Sequence, residues 1–468
     1  MKTRAILPMD KKNFGIQSLL LAVLLLFFCG MFFFNGPGVY NDSEQYLQMH
    51  IHREPLYPLF LKLLRDVFKD GYLVAMGYIQ NIFMAIAVFL FTKTVSDKFS
   101  LPWWAEYMLA GIQLFPHVMT KYFSAIGLFV TNSVMSEALC MPLFTLWSMC
   151  CIQILLERRR KYVIWAWVLS LLLSLTRGQM MTTILVLFVL LVWIYVVQEK
   201  KQRIIRFFVL VMSVVLAFGL RTLTVKTYNL HYHGQFINNT YGNVNLLTNM
   251  LYASDRTDGE AITDEQARDF FYKMYDLAQE AGANYKFAGK TLTQKAQHIE
   301  KYHDDIKFMY IEDVFYQYYD KNVTTDYITQ NLLADEMSMK IMKGIFPKCF
   351  KTWLSVYFSI VYFGLIRSIA VVHPVLNVIA MIIYLAVILL GIWHVRKRPG
   401  SKAVPVLAFA LLVILANTCA VSLTIMCLSR YMIYSFSLFY TAVALLLYEL
   451  IKPRLCAKLF QESKVGRK

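Results

Sequence analysis

The chain has 468 residues, of which 58% are hydrophobic, 15% aromatic and only 16% charged, with a mean hydropathy of +0.48; this excludes an ordinary soluble domain and marks an all-α polytopic membrane protein. The formal net charge of +17 would suggest nucleic acid if it were gathered on one soluble face, but it lies in short runs between hydrophobic segments, so topology accounts for it and no nucleic-acid partner is expected. Eight cysteines give no disulfide framework or metal finger, since Cys29, Cys140, Cys150, Cys151, Cys419 and Cys427 fall in or beside apolar runs and only Cys349 borders the large polar loop.

Residues 1–13 are short and basic (Lys2, Arg4, Lys11, Lys12) and lead into an apolar run, 14–34, long enough to span at about 1.5 Å per residue, with no small-residue cleavage pattern after it. It is expected as an uncleaved first span with its amino end in the cytoplasm, which puts the next polar stretch, NDSEQYLQMHIHR at 41–53, outside. Two acids, Asp42 and Glu44, stand there at the membrane edge. Over 54–68, Leu56, Leu59, Phe60, Leu63, Leu64 and Val67 recur at helical spacing while Lys62, Arg65, Asp66 and Lys69 take the other face, the pattern of a helix lying in the interface. Spans are expected near 72–92, 103–119, 132–156, 162–178, 180–197 and 207–225. The basic turns between them, Lys93 and Lys98, then Arg158, Arg159, Arg160 and Lys161, then Lys200, Lys201, Arg203 and Arg206, fall on one side, as for cytoplasmic loops.

From about 228 to 349 the chain turns polar and mixed in charge, with Thr263 expected to cap DEQARDFFYKMYDLAQEAG, and is long enough for a mostly helical extracytoplasmic domain. Residues 350–366 are ambiguous between a span and an interfacial helix. Charge decides for the interface, because only then do Arg396, Lys397, Arg398, Lys402 and the basic tail from Lys452 lie inside. Spans near 371–393, 404–425 and 431–450 complete about ten, with both termini cytoplasmic and three parts: 1–227 with a catalytic first loop at 36–70, the domain 228–349, and 350–468. No internal repeat suggests an inverted-repeat transporter.

In order, the acidic loop, REPLYPLFL (Arg53 to Leu61), SEALCMPLF (Ser136 to Phe144), SLTRGQ (Ser174 to Gln179) and SRYMIYS (Ser429 to Ser435) resemble the bacterial branch of the GT-C membrane glycosyltransferases, which includes protein O-mannosyltransferases and the lipid A aminoarabinose transferase. The resemblance covers nearly the whole chain. It implies an integral protein of the bacterial cell membrane that transfers a sugar from a polyprenyl-phosphate donor to a lipid, protein or glycan acceptor outside the cytoplasm, by an inverting step with an acidic general base. The family's first loop often carries adjacent acids, whereas Ser43 separates Asp42 from Glu44 here.

An inverting transfer needs a group to take the acceptor hydroxyl's proton, and partial desolvation at the mouth of an apolar cavity raises a carboxylate's basicity, so Asp42 is the candidate base with Glu44 beside it. The bland alternative is a helix cap, since Asn41 with Glu44 and Asp42 with Gln45 have capping-box spacing. His50 and His52 with the two acids could hold a divalent ion, against ordinary interfacial histidines. Glu137, just inside an apolar span, is either a site residue or paired with a neighbouring helix.

Lys121, Arg177, Arg221, Lys226, Arg367 and Arg430 fall at predicted outer span ends, where the positive-inside rule would thin them out. Singly each reads as a snorkelling anchor; as a set they suit a donor phosphate, with Arg177 and Arg430 foremost. The resemblance adds Arg53, Glu54, Tyr57 and Tyr431 from its motifs as substrate-binding or structural. The domain's aromatics (Tyr272, Tyr275, Tyr302, Tyr310, Phe315, Tyr316, Tyr318, Tyr319) read as core at helical spacing or as sugar platforms, and Asn238 and Asn322 head formal sequons. The rival class is an O-antigen-type polymerase or ligase resting on Arg256, His298 and His303 instead of Asp42.

Overall fold

A computed structural model describes residues 11–124, 127–198, 202–238 and 240–465, the side chains of 11–14 and 453–465 excepted; the basic expectations at Lys2, Arg4, Lys11, Lys12, Lys200, Lys201 and the end of the tail lie outside what it describes. The described chain is helical, and its one β contact is an isolated bridge between Gly38 and Ser133. The first module comprises α1 (Lys11–Asn35), the short α2 (Ser43–Leu47), α3 (Leu56–Phe68), α4 (Tyr72–Phe99), α5 (Trp103–Phe123), α6 (Ser136–Glu157), α7 (Arg160–Thr176), α8 (Thr182–Val192) and α9 (Arg203–His233). The polar region folds as α10 (Gly242–Tyr252), α11 (Glu265–Glu280), α12 (Leu292–Asp304) and α13 (Asp313–Asn322) and runs into the long α14 (Tyr327–Arg367). The chain closes with α15 (Pro374–Lys397), α16 (Ala403–Thr424), the single turn α17 (Ser429–Met432) and α18 (Tyr434–Val465).

Among the described residues nine helices are long and apolar enough to cross a membrane, which makes this an integral membrane protein. One of the nine, α14, is not a bundle-crossing helix by its contacts. Its first residue, Tyr327, stacks edge-on to His50, its last, Arg367, bonds the Cys427 carbonyl, and Tyr357 bonds the carbonyl of Cys419 near the end of α16, so both its ends lie at one end of the bundle. Residues 350–366, expected as a separate interfacial helix, are thus the second half of one 41-residue helix that begins in the polar region. Conversely α5 and α7, shorter or more polar than the nine, do run end to end.

Contacts define the two ends. At one, Lys98 pairs with Glu157, Lys402 Nζ donates to the Lys98 carbonyl at 3.2 Å, Tyr448 donates to the Ser100 carbonyl at 3.2 Å and Arg398 donates to the Glu449 carbonyl. The basic turns at 158–161, 203–206 and 396–402 share this end, where Arg206 also donates to the Tyr195 carbonyl at 3.3 Å. At the other end stand Asp42, Arg53, Arg177 and Arg430.

Apolar burial explains the packing. Leu20, Leu24 and Phe28 of α1 pack with Met84, Val88 and Phe91 of α4 and with Trp147 and Phe409 in one continuous core. A Cβ on Gly77 would stand 2.0 Å from Phe32 Cε2, so glycine is what lets α1 and α4 approach. Helix α3 buries Tyr57, Leu61 and Leu64 against the protein and leaves Leu63, Val67 and Phe68 exposed beside its charges, the two apolar aspects an interfacial helix needs. The polar region has its own core (Val244, Leu251, Phe271, Phe315, Ile341), which continues onto Val421, Cys427 and Met432 near α17. The cap of α11 is Asp264, one residue after the expected Thr263, accepting from the Ala267 N–H at 2.9 Å.

Candidate functional site

Asp42 precedes α2, but its side chain makes no cap hydrogen bond. The carboxylate instead takes Arg53 Nη2 on Oδ1 at 3.0 Å and Arg430 Nη1 on Oδ2 at 2.8 Å. Both arginines are themselves held: Arg53 Nε donates to Gln45 Oε1 at 2.8 Å and Nη1 to the Tyr46 hydroxyl at 3.2 Å, while Arg430 Nη2 donates to the Tyr431 hydroxyl at 2.7 Å. Burial pushes the Asp42 carboxyl up, but the charges of Arg53 and Arg430 outweigh it and hold it below its ordinary range, the reverse of the raised basicity expected from desolvation alone.

A second ion pair underlies the first. Arg177 Nη1 lies 2.7 Å from Glu137 Oε1 and 3.3 Å from Ser136 Oγ, and its guanidinium sits 4.7 Å from the Tyr431 ring centroid, with that of Arg430 4.8 Å from the same ring. Glu137 is 2% exposed, and pairing is what makes that position tolerable. Tyr431 is pinned in turn, its carbonyl accepting from Gln179 and Asn417 at 2.9 Å each. Glu54 pairs with Arg221 alongside Gly178, so that pair braces the 53–54 turn against α9. Tyr57 is fully buried and bonds Gln80 Oε1 at 3.0 Å, which fastens α3 to α4.

Above this floor opens a cavity of about 550 Å³. Asp42, Arg53, Arg430 and Tyr431 line one wall; Tyr241, Lys307, Phe308, Glu312 and Tyr327 of the polar region line the other. The sequence reading names none of these five. Lys307 and Glu312 belong to a π-helical stretch, Asp305–Glu312, whose wider turn leaves no trace in a pattern read at 3.6 residues. Burial and the neighbouring Asp313 push the Glu312 carboxyl up to about 8.

Other expected site residues lie elsewhere. Glu44 is exposed and accepts from Gln48 Nε2 at 2.6 Å, and Lys121 Nζ lies 5.7 Å from the Phe129 ring; neither lines the cavity. His50 and His52 bond Gln48 and Gln45, and burial together with Arg53 pushes His52 down to about 3. Among the described residues no three or more His, Cys, Asp or Glu side chains gather as metal ligands, and Asp42 already has a guanidinium on each oxygen, so the residues here do not fit a divalent ion. Tyr275, Phe315 and Tyr319 are core residues. Arg256 pairs with Asp276 in an exposed position, His298 bonds Tyr252, and buried His303 bonds Asp304; none of the three lines the cavity.

An apolar furrow of about 790 Å³ runs between α5, α15 and α18, lined by Ile112, Phe115, Leu376, Phe436 and Tyr440 among others. It adjoins a smaller space bounded by Thr120, Arg367, Ser429 and Ile433, which brings it within one residue of Arg430. No family model, curated protein or solved structure matches the chain, and its chemistry rests on the geometry just described.

Proposed function

We propose that this chain is a membrane glycosyltransferase of the GT-C type that moves a sugar from a polyprenyl-phosphate donor to an acceptor hydroxyl, with inversion, on the extracytoplasmic side of a bacterial cell membrane. The observation that carries the reading is Asp42: an ionised carboxylate in the wall of a polar cavity, at the end of the bundle away from the basic turns. Each of its oxygens carries one arginine N–H and has capacity to accept another hydrogen bond, from the acceptor hydroxyl. In the transfer, the acceptor oxygen bonds the anomeric carbon, the bond from that carbon to the phosphate oxygen breaks with its electron pair staying on the phosphate, and the hydroxyl proton passes to Asp42.

The apolar furrow supports a lipid-borne donor. A prenyl chain lying along α5, α15 and α18 would reach the region of Ser429 and Arg430 with its polar end, where the cavity begins. Tyr241, Phe308 and Tyr327 offer aromatic faces for sugar rings across from Asp42. The deciding experiment is transfer of radiolabelled sugar from polyprenyl-phosphate donors to membrane acceptors by wild type and by Asp42→Asn at matched expression and folding. Loss of turnover with donor binding retained fits Asp42 as base; full activity of Asp42→Asn sinks this reading.

A further inference from the structure

Each arginine expected at the donor phosphate already holds a carboxylate. Arg177 is on Glu137, Arg221 on Glu54, and Arg430 shares Asp42 with Arg53, while Arg367 grips both oxygens of Glu300 at 2.7 and 2.8 Å. An anion arriving at any of them competes with the carboxylate in place. Lys307 is different. It extends from the polar region into the wall opposite Asp42, with Nζ 4.6 Å from the Tyr241 ring centroid and 4.7 Å from that of Phe308, and among the described residues it has no ion pair and no hydrogen bond. Asp304, one turn earlier, is bonded to His303 at 3.2 Å instead.

We propose that Lys307 is the phosphate ligand of this cavity, holding the phosphate of a lipid-borne ester between the polar region and the Arg53–Asp42–Arg430 wall. The assignment of that ester as a sugar donor rests on the glycosyltransferase reading; the phosphate chemistry rests on Lys307 itself. Lys307 is half-buried and its ammonium has no carboxylate bonded to it among the described residues, so an arriving phosphate supplies the direct counterion it lacks. Burial pushes Lys307 down to about 8, with Asp304 pulling it up and Arg53 adding to the depression. With Glu312 held near 8 and so neutral at pH 7, the walls carry Arg53, Lys307 and Arg430 against Asp42 and Asp304, which leaves an excess of positive charge for an anion. During transfer the phosphate gains a second negative charge as the anomeric bond breaks, and an ammonium on it stabilises that charge.

The test uses the purified full chain in lipid nanodiscs, with geranylgeranyl phosphate as probe and geranylgeraniol and inorganic phosphate as comparison arms. Lys307→Met is expected to weaken geranylgeranyl phosphate roughly 10- to 100-fold, the loss of a charge-assisted contact, without changing geranylgeraniol binding or the melting temperature, and Lys307→Arg is expected to recover most of it. Lys301→Met, at an exposed lysine outside the cavity, serves as the control and should bind like wild type. Equal phosphate binding by wild type and Lys307→Met overturns the proposal, and so does a wild type that prefers the alcohol. Competition by inorganic phosphate at concentrations matching the ester overturns the lipid-borne source. Lys307-dependent binding in a protein that transfers no sugar from any polyprenyl phosphate leaves this inference standing and removes the glycosyltransferase reading.

Discussion

Arg430 Nη1 meets Asp42 Oδ2 at 2.8 Å although 388 positions separate the two in the chain. The contact ties the loop after the first span to the turn before the last, and with Arg53 on the other oxygen it keeps the Asp42 carboxylate ionised. A carboxylate so held is weaker as a base than a free one, yet it is always in the form that accepts a proton.

Asp42→Asn should therefore lower the transfer rate about 10²–10⁴-fold, the usual range for a lost general base, with little change in donor affinity. Arg430→Ala should lower it too, because Asp42 and the Tyr431 hydroxyl lose the guanidinium that fixes their positions, a loss of orientation that outweighs the gain in basicity, whereas Glu44→Gln, on the exposed side of α2, should leave it unchanged. Initial rates at saturating donor separate the three variants.

The Glu137–Arg177 pair gives a stability prediction. Glu137→Leu alone should cost roughly 3–5 kcal/mol by stranding the Arg177 guanidinium, and Glu137→Leu with Arg177→Met should recover much of it, since an apolar pair of similar volume suits that layer. Thermal unfolding in detergent of both singles and the double checks it; additive losses would contradict a coupled pair.

Glu312 gives a pH prediction. Its carboxyl titrates near 8 in the folded protein against an ordinary value of 4.5, so the folded state keeps a proton that the unfolded chain has shed. Its contribution is full below pH 4.5 and is lost as pH rises through 8. His52, pushed from 6.5 to about 3, acts in the opposite sense below pH 6.5, so the clean window is 6.5–8. Melting temperature should fall across that window in wild type and fall less in Glu312→Gln.

The furrow gives a specificity prediction. Gly111 lines it, and a Cβ there meets nothing within 4 Å, so Gly111→Phe can fill the space without disturbing the fold. With burial worth about 0.8 kcal/mol per methylene, displacing part of a long prenyl tail should raise the KM of long-chain donors about 10-fold and leave short-chain donors unaffected. Steady-state kinetics on donors of two chain lengths decide it, with Gly219→Phe, at an open position on α9, as the control.

Much of the helical framework was legible in the sequence. Apolar runs separated by basic turns define helices such as α6 and α16 within a few residues, because in a membrane the backbone must satisfy its own hydrogen bonds and apolar length alone selects helix. The contacts group the 396–402 turn with the other basic turns, since Lys402 and Arg398 meet Lys98 and Glu449 at one end of the bundle, while the interfacial helix that the same charge argument isolated at 350–366 is part of α14. The capping-box spacing at Asp42 misled, because two distant arginines compete more strongly for the carboxylate than the N–H groups of a five-residue helix.

By itself the sequence determined an all-α membrane protein, the approximate bounds of most of its apolar helices and the presence of acidic and basic residues in its polar loops. Which carboxylate meets which cation was decided only by tertiary packing: Arg177 with Glu137, Arg221 with Glu54, Arg430 with Asp42, and Lys307 with none among the described residues. Helix formation depends on neighbours three and four residues away, which the sequence displays, whereas the ion pairs and the cavity depend on distances between helices far apart in the chain.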